Sequence, residues 1–544
     1  MDMSFNIYQL FPRLFGNKQT DFRVNGSKTE NGCGTFNDID ETALEAIKDL
    51  GFTHIWLTGI LEHASESTGT HPDITKGRAG SPYAVTDYHS VDPDLGTMAD
   101  FKQLVERIHG KGMKVIMDFI PNHLARQNKG FDPCNFYYCE GQAFVSPRVL
   151  NVCHSESFEG IDTLALQARY DMPSKGEENL CIQNPYEEFP AKATGNNVFA
   201  PNPSINDWYD TVKLNYDEHD TWEKMLEILR FWCSKNVDGF RVDMAEMVPV
   251  AFWQWVIAEL RKDYQPMMIA EIYQPDLYRP FLDAGFDYLY DKVGLYNTLE
   301  RVLCEGHEAK EISQVWKDLH EMDAHMLRFM ENHDEKRLAS SQFVGDAFAA
   351  LPAVALSALM NTGPFMVYNG QESGENAIGE VGYSGDDGRT SIFDYCHMPE
   401  HQKWMNGGKF DGGQFDEKQK QLFAYYRKLL RFRNEHSAIS EGKFYDLMWC
   451  NPWYMNFDPQ FVYAFLRYSE SERLLVVVNF NRNEVRDVEV KIPHDALAMM
   501  GRSKANEFGM NDFASEVHAV HLAPAETKII DLDSGKIVFE NGWN

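Results

Sequence analysis

Short apolar runs alternate with amphipathic stretches along most of this chain. Asn6 to Phe11 reads as a strand, Ala43 to Leu50 as a helix and His54 to Thr58 as a second strand. Ala99 to His109 is again helical, and Lys114 to Ile120 is a third strand running into Pro121-Asn122-His123. That β, α, β, α, β order predicts an α/β fold with a parallel sheet wrapped by helices. The rhythm breaks over Leu124 to Asp220, which is rich in Asn, Pro, Gly and aromatics and has no sustained period. A stretch of that length inside a domain is functional or a small domain of its own. The alternation returns with a helix from Trp222 to Lys235, a strand carrying Arg241 and Asp243, the helix Val250 to Lys262 and the strand Met267 to Ile272. Phe286 to Tyr290, Leu327 to Glu331 and Phe365 to Tyr368 are further strands, with helices at Ala347 to Leu359 and Asp416 to Asn434. Eight strands with helices between them are what a closed (β/α)8 TIM barrel requires. Past Ile439 the pattern changes to Phe461 to Tyr468, Leu474 to Asn481 and Val485 to Ile492, the mark of an antiparallel β-sandwich. The expected layout is therefore barrel over 1–123 and 221–440, an inserted domain over 124–220 and a C-terminal β-sandwich domain over 441–544.

Composition narrows the function classes. With 544 residues, 43% hydrophobic and 13% aromatic, the chain has material for a large core and satellite domains. Its formal net charge of −31, from 82 Asp and Glu against 51 Lys and Arg, disfavours nucleic acid and suits a neutral ligand. No apolar run approaches a membrane span and no signal peptide is read at the N-terminus, so a cytoplasmic location is expected. The 9 cysteines are scattered without a C-x-x-C pair, which argues against a disulfide framework. Cys134, Cys139, Cys153 and Cys181 gather near His154 in the irregular segment, although their spacings match no usual zinc pattern.

The chemistry lies at the predicted strand ends. Arg241 and Asp243, two apart on one strand, project from the same face. Read alone, the pair is either a strand-capping salt bridge or a carboxylate kept ionised as a nucleophile. Collecting the other strand ends adds Asp118 and His123, Glu271, and Asn332-His333-Asp334. Three acids, Asp243, Glu271 and Asp334, thus converge on one mouth from three strands, which is costly unless chemistry uses them. Glycoside cleavage needs two carboxylates, one to attack the anomeric carbon and one to protonate the leaving oxygen. Arg241 suits Asp243 to the first role, and the apolar run before Glu271 suits that residue to the second.

Asp118-Phe-Ile-Pro-Asn-His123, Gly239-Phe-Arg-Val-Asp243, Glu271 and Asn332-His-Asp334, in this order, resemble the four signature regions of the α-amylase family of retaining glycoside hydrolases and transglycosylases. Tyr8-Gln-Leu-Phe-Pro12, Ser81-Pro-Tyr83 and Gly363 to Glu372 support the match over about residues 5 to 435. The resemblance implies Asp243 as nucleophile, Glu271 as acid/base and Asp334 as transition-state stabiliser. It further implies sugar contacts from Tyr83, His123, Arg241, His333 and Arg337, with Asp118 and Asn122 bracing the strand end. The implied reaction is hydrolysis of α-1,4-glucosidic bonds in maltodextrin or starch. A transglycosylase or isomerase of the same architecture, or an α-1,6-specific glucosidase, is the alternative.

Some positions depart from the family pattern. Glu246 and Met247 stand where Lys-His or Asn-Glu often contact sugar beyond the cleavage point, and Met244 fits neither linkage class. No cofactor is required for the chemistry. The resemblance carries a structural calcium with Asn122 among its ligands, but Lys213 replaces an Asp of many calcium-binding members, as in neopullulanase-like ones, removing a ligand and adding a cation. Gly80 stands where exo-acting members often place an Asp, so an open cleft and endo-type cleavage are expected. The sequence leaves the oligomeric state open, along with the role of Trp208 and Tyr209.

Overall fold

The computed structural model describes residues 5–131, 149–151, 181–183, 210–377, 386–452, 454–502 and 515–541. Eight parallel strands close into a barrel: β1 (Asn6–Leu10), β2 (His54–Leu57), β3 (Lys114–Phe119), β4 (Gly239–Val242), β5 (Met267–Ala270), β6 (Tyr288–Tyr290), β7 (Met326–Phe329) and β8 (Phe365–Tyr368). They follow chain order around the ring, and β1 closes it by pairing with both β2 and β8. Strands buried on both faces read as continuous apolar runs, which is why β1, β2, β4, β7 and β8 are buried at every position.

The outer ring holds α1 (Glu41–Leu50), α2 (Met98–Gly110), α3 (His219–Cys233), α4 (Val250–Leu260), α5 (Tyr278–Ala284), α6 (Ile312–Leu319), α7 (Leu351–Leu359) and α8 (Glu417–Glu435). Their limits follow from capping chemistry. Asp40 caps α1 by accepting from Thr42 N and Ala43 N, and Gly51 ends it in the left-handed region. Thr97 with Asp100, and Asp416 with Gln419, form capping boxes at α2 and α8. The amphipathic pattern places Ala43, Leu44, Ile47 and Leu50 of α1 against the barrel. The helix expected from Ala347 starts instead at Leu351, because Pro352 occupies its first turn, where a missing N–H costs nothing.

The excursion after β3 leaves and returns along itself, since His123–Ala125 pairs antiparallel with Thr211–Lys213. Farther out Val149–Asn151 pairs with Cys181–Gln183. Cys134, Cys139, Cys153, His154, Trp208 and Tyr209 lie outside the described residues, and of Cys181 only the backbone is described.

Beyond α8 the chain builds an antiparallel domain. β9 (Lys443–Asp446), β10 (Val462–Tyr468) and β11 (Arg473–Asn479) join β14 (Thr527–Asp531) and β15 (Ile537–Glu540) in a five-stranded sheet. β12 (Arg486–Ile492) and β13 (Glu516–Leu522) form a separate two-stranded ribbon. A continuous apolar core joins this domain to the barrel. Among the described residues no helix is long and apolar enough to cross a membrane.

Candidate active site

Strand register assembles the site. Arg241 on β4 sits opposite Asp118 on β3 and Ile269 on β5, so its side chain rises between two acidic strand ends. Asp243 is the first residue past β4, with its N–H donating to Phe119 O (2.9 Å), and Glu271, the first past β5, donates to Val242 O (3.0 Å). Both carboxylates therefore leave the sheet at one level, at the C-terminal face.

Arg241 is fully buried and serves the whole cluster. Its Nη1 lies 2.8 Å from Asp243 Oδ1 and 3.3 Å from Asp118 Oδ1, its Nη2 lies 3.0 Å from Glu271 Oε2, and its Nε donates to Tyr290 Oη at 3.1 Å. The guanidinium carbon stands 5.2 Å from the centre of the Trp56 ring and 5.5 Å from that of Tyr83, so aromatic faces wall the cation. One cation thus faces three carboxylates. This corrects the sequence expectation that Arg241 belongs to Asp243 while Glu271 sits in apolar surroundings. Burial, and then the Glu271 charge, push the Asp243 carboxyl well above the ordinary carboxylate range, against the pull of Arg241. Burial also raises Asp118.

The histidines close the ring. His123 Nε2 lies 3.8 Å from Asp243 Oδ2, and burial with the charges of Lys213 and Lys76 lowers its pKa to about 3, so it is neutral at working pH. His333 Nε2 lies 3.0 Å from Asp334 Oδ2, while Gln9 Nε2 meets His333 Nδ1 at 2.8 Å. Tyr83 stacks on His333 with ring centres 5.1 Å apart and its Oη 2.5 Å from Nε2. Asp334 is the most open of the three acids, its side chain 34% exposed. Asn332 Oδ1 accepts from Asp334 N and Glu335 N and holds this turn.

One expectation needs revision. Arg337 does not join the cluster: fully buried, it donates to Glu331 Oε2, Asn369 O and Thr390 Oγ1, packs 4.1 Å from the Tyr368 ring centre and braces the loop after β7 from beneath. Around Asn122, where a calcium is expected, the described residues offer mixed surroundings. Asn122 Oδ1 is buried without a hydrogen-bond partner, yet Lys213 pairs with the adjacent His123, and both Lys213 and Lys76 place positive charge there. Among the described residues no group of three or more His, Cys, Asp or Glu is placed to hold a metal ion.

Sequence reasoning missed Tyr273, whose hydroxyl donates to Glu271 Oε1 at 2.6 Å, together with Tyr290 and Gln9. For Gln9 the signal was present in Tyr8-Gln-Leu-Phe-Pro12, since a polar residue in a wholly buried strand must find a partner inside the barrel.

A closed parallel barrel with carboxylates gathered at its C-terminal mouth defines a barrel glycosidase. The family described as "Alpha amylase, catalytic domain" matches residues 9–143 and 205–442, and the chain belongs to that family, as a glycoside hydrolase of the retaining type. It is 23% identical over 564 residues to trehalose-6-phosphate hydrolase of Bacillus subtilis, covering 88% of this chain and 89% of that protein. To neopullulanase 2 of Thermoactinomyces vulgaris it is 23% identical over 510 residues, covering 90% and 71%. The acarbose-soaked debranching enzyme of Nostoc punctiforme shares the fold with a TM-score of 0.63, at 18% identity and 97% coverage of both chains.

Proposed function

We propose that this enzyme hydrolyses α-1,4-glucosidic bonds within maltodextrin- or starch-like α-glucans by double displacement. The observation that carries the reading is the meeting of Asp243 and Glu271 on one buried guanidinium, with Asp334 opening to solvent beside them. Asp243 attacks the anomeric carbon while Glu271 passes its proton to the leaving oxygen, and Glu271 then deprotonates the water that releases the glycosyl-enzyme. Asp334 offsets the positive charge of the distorted sugar. Tyr83, His123, Arg241 and His333 hold that sugar against the nucleophile. Family membership supports an α-glucan as substrate.

Attack within the chain is favoured by Gly80. Its φ of +73° and the 1.7 Å approach that a Cβ would make to Ala64 O exclude a side chain at the point where an acid would block the cleft. Asp243→Asn is expected to abolish turnover of maltoheptaose, and Glu271→Gln to slow it about 100-fold or more. Unchanged rates in both variants would sink the assignment. Release of only glucose or maltose from one chain end would end the endo reading, and initial release of β-anomers would contradict retention.

A further inference from the structure

The turn after β4 and the loop after β5 are joined by more than strand pairing. Ala245 N donates to Glu271 O at 3.1 Å, and Met244 N donates to Glu271 Oε2 at 2.7 Å. Met244 is a buried non-glycine residue at φ +46°, a strained left-handed conformation that aims its N–H at the carboxylate. In the opposite direction, Glu246 Oε2 accepts from Tyr273 N (2.9 Å) and Gln274 N (3.0 Å). Tyr273, gripped at its backbone, donates its hydroxyl to Glu271 Oε1 at 2.6 Å.

We propose that Tyr273 is the positioning residue of Glu271 and that Glu246 sets Tyr273 for this task, an inference that rests on the acid/base reading of Glu271 above. The two oxygens of Glu271 are not equivalent. Oε2 accepts from the Met244 N–H and lies 3.0 Å from the Arg241 Nη2 as an ion pair, so it is the oxygen kept free of the proton. Oε1 meets the Tyr273 hydroxyl, which leaves it a lone pair for the transferable proton. Tyr273 thereby fixes the direction in which that proton leaves. Burial and then the Glu271 and Asp334 charges hold the Tyr273 hydroxyl well above its ordinary range, so it remains a donor throughout the working pH. As Glu271 releases its proton, charge grows on Oε1 and the Tyr273 hydrogen bond strengthens, which lowers the barrier only where the leaving group needs protonation.

The test compares maltoheptaose, whose leaving sugar must be protonated, with α-maltosyl fluoride, whose fluoride leaves with little help. Tyr273→Phe is expected to cut kcat/KM on maltoheptaose about 10- to 100-fold, the worth of a hydrogen bond to a charged group, while turnover of the fluoride is nearly retained. The alkaline limb of its kcat/KM profile moves to higher pH, because the lost donor had favoured the ionised carboxylate. Glu246→Ala reproduces the leaving-group selectivity, whereas Glu246→Gln, whose amide oxygen still accepts both N–H groups, behaves as the parent enzyme. Equal losses on both substrates, or a raised KM with kcat unchanged, would overturn the proposal. Glu271→Gln separates the two levels of argument. If it spares maltoheptaose, the acid/base reading itself falls; if it is leaving-group selective and Tyr273→Phe is not, only the role of Tyr273 falls.

Discussion

Beneath the mouth, Glu331, Glu372 and Glu375 surround the Arg337 guanidinium, all of them buried. Glu331 bonds it directly at 2.9 Å, and Glu372 accepts instead from Tyr8 Oη at 2.6 Å and from Gly370 N. Burial pushes both Glu331 and Glu372 up to about 7, even against the pull of Arg337. The consequence for stability has a definite sign. In the unfolded chain these carboxyls ionise at an ordinary value of about 4.3, so between that pH and 7 the native state binds more protons than the unfolded one. Stability is therefore greatest below the window and falls as pH rises through it, by about 4 kcal/mol per carboxyl at most. Glu372→Gln cannot ionise and is expected to flatten its share of that fall. Urea unfolding of both proteins at pH 5, 6, 7 and 8 checks this, and equal slopes would refute it.

At the scale of elements, the turn that presents Tyr83 depends on Gly80. The hairpin of Leu61–His63 and Val85–Val91 is closed by Ala64 N donating to Ala84 O, and the backbone of Gly80 presses on that closure. Gly80→Ala combines a left-handed φ with a backbone collision, at a cost above about 2 kcal/mol. A lower Tm and a higher KM for maltoheptaose, as Tyr83 is displaced from His333, are the expected readouts; wild-type values in both would show that the turn relaxes freely. Such a turn marks the limit of what sequence reveals. The barrel strands were legible because two-sided burial writes them as unbroken apolar runs, and the helices because their apolar positions recur on one face. The converging acids were legible because a parallel barrel brings every strand end to one face. What distinguishes Arg337 from Arg241 was not: one lies in the loop after an apolar strand and the other within such a strand, and only packing decides that one braces a loop while the other faces the carboxylates. Sharing of Arg241 by three carboxylates depends on strand register, and the contact of Tyr273 with Glu271 on a turn with no period. Strands β13 to β15 went unread because apolar positions such as Val517 and Ile537 face outward while Thr527 and Lys528 are buried, which blurs the alternation.

Over the whole molecule, the C-terminal sheet is fastened to the barrel by an arginine with no carboxylate within ion-pair distance among the described residues. Arg467, buried on β10, donates through Nη1 to Met360 O at the end of α7, through Nη2 to Ile439 O and Gly442 O, and through Nε to Ala438 O. A planar guanidinium with five donors matches such a set of backbone carbonyls, and the desolvation of the cation is offset only while all of them are in place. Because the apolar core is continuous across the same junction, barrel and sheet are expected to unfold as one cooperative unit. Arg467→Ala removes four charge-assisted hydrogen bonds from buried or partly buried carbonyls, at a cost of about 3 kcal/mol or more. Scanning calorimetry should then show one transition in the parent and a lower, broader or split transition in the variant, where the sheet loosens before the barrel. Two well-separated transitions already present in the parent would mean that the junction does not couple the domains. An unmoved single transition in the variant would mean that core packing alone holds them together.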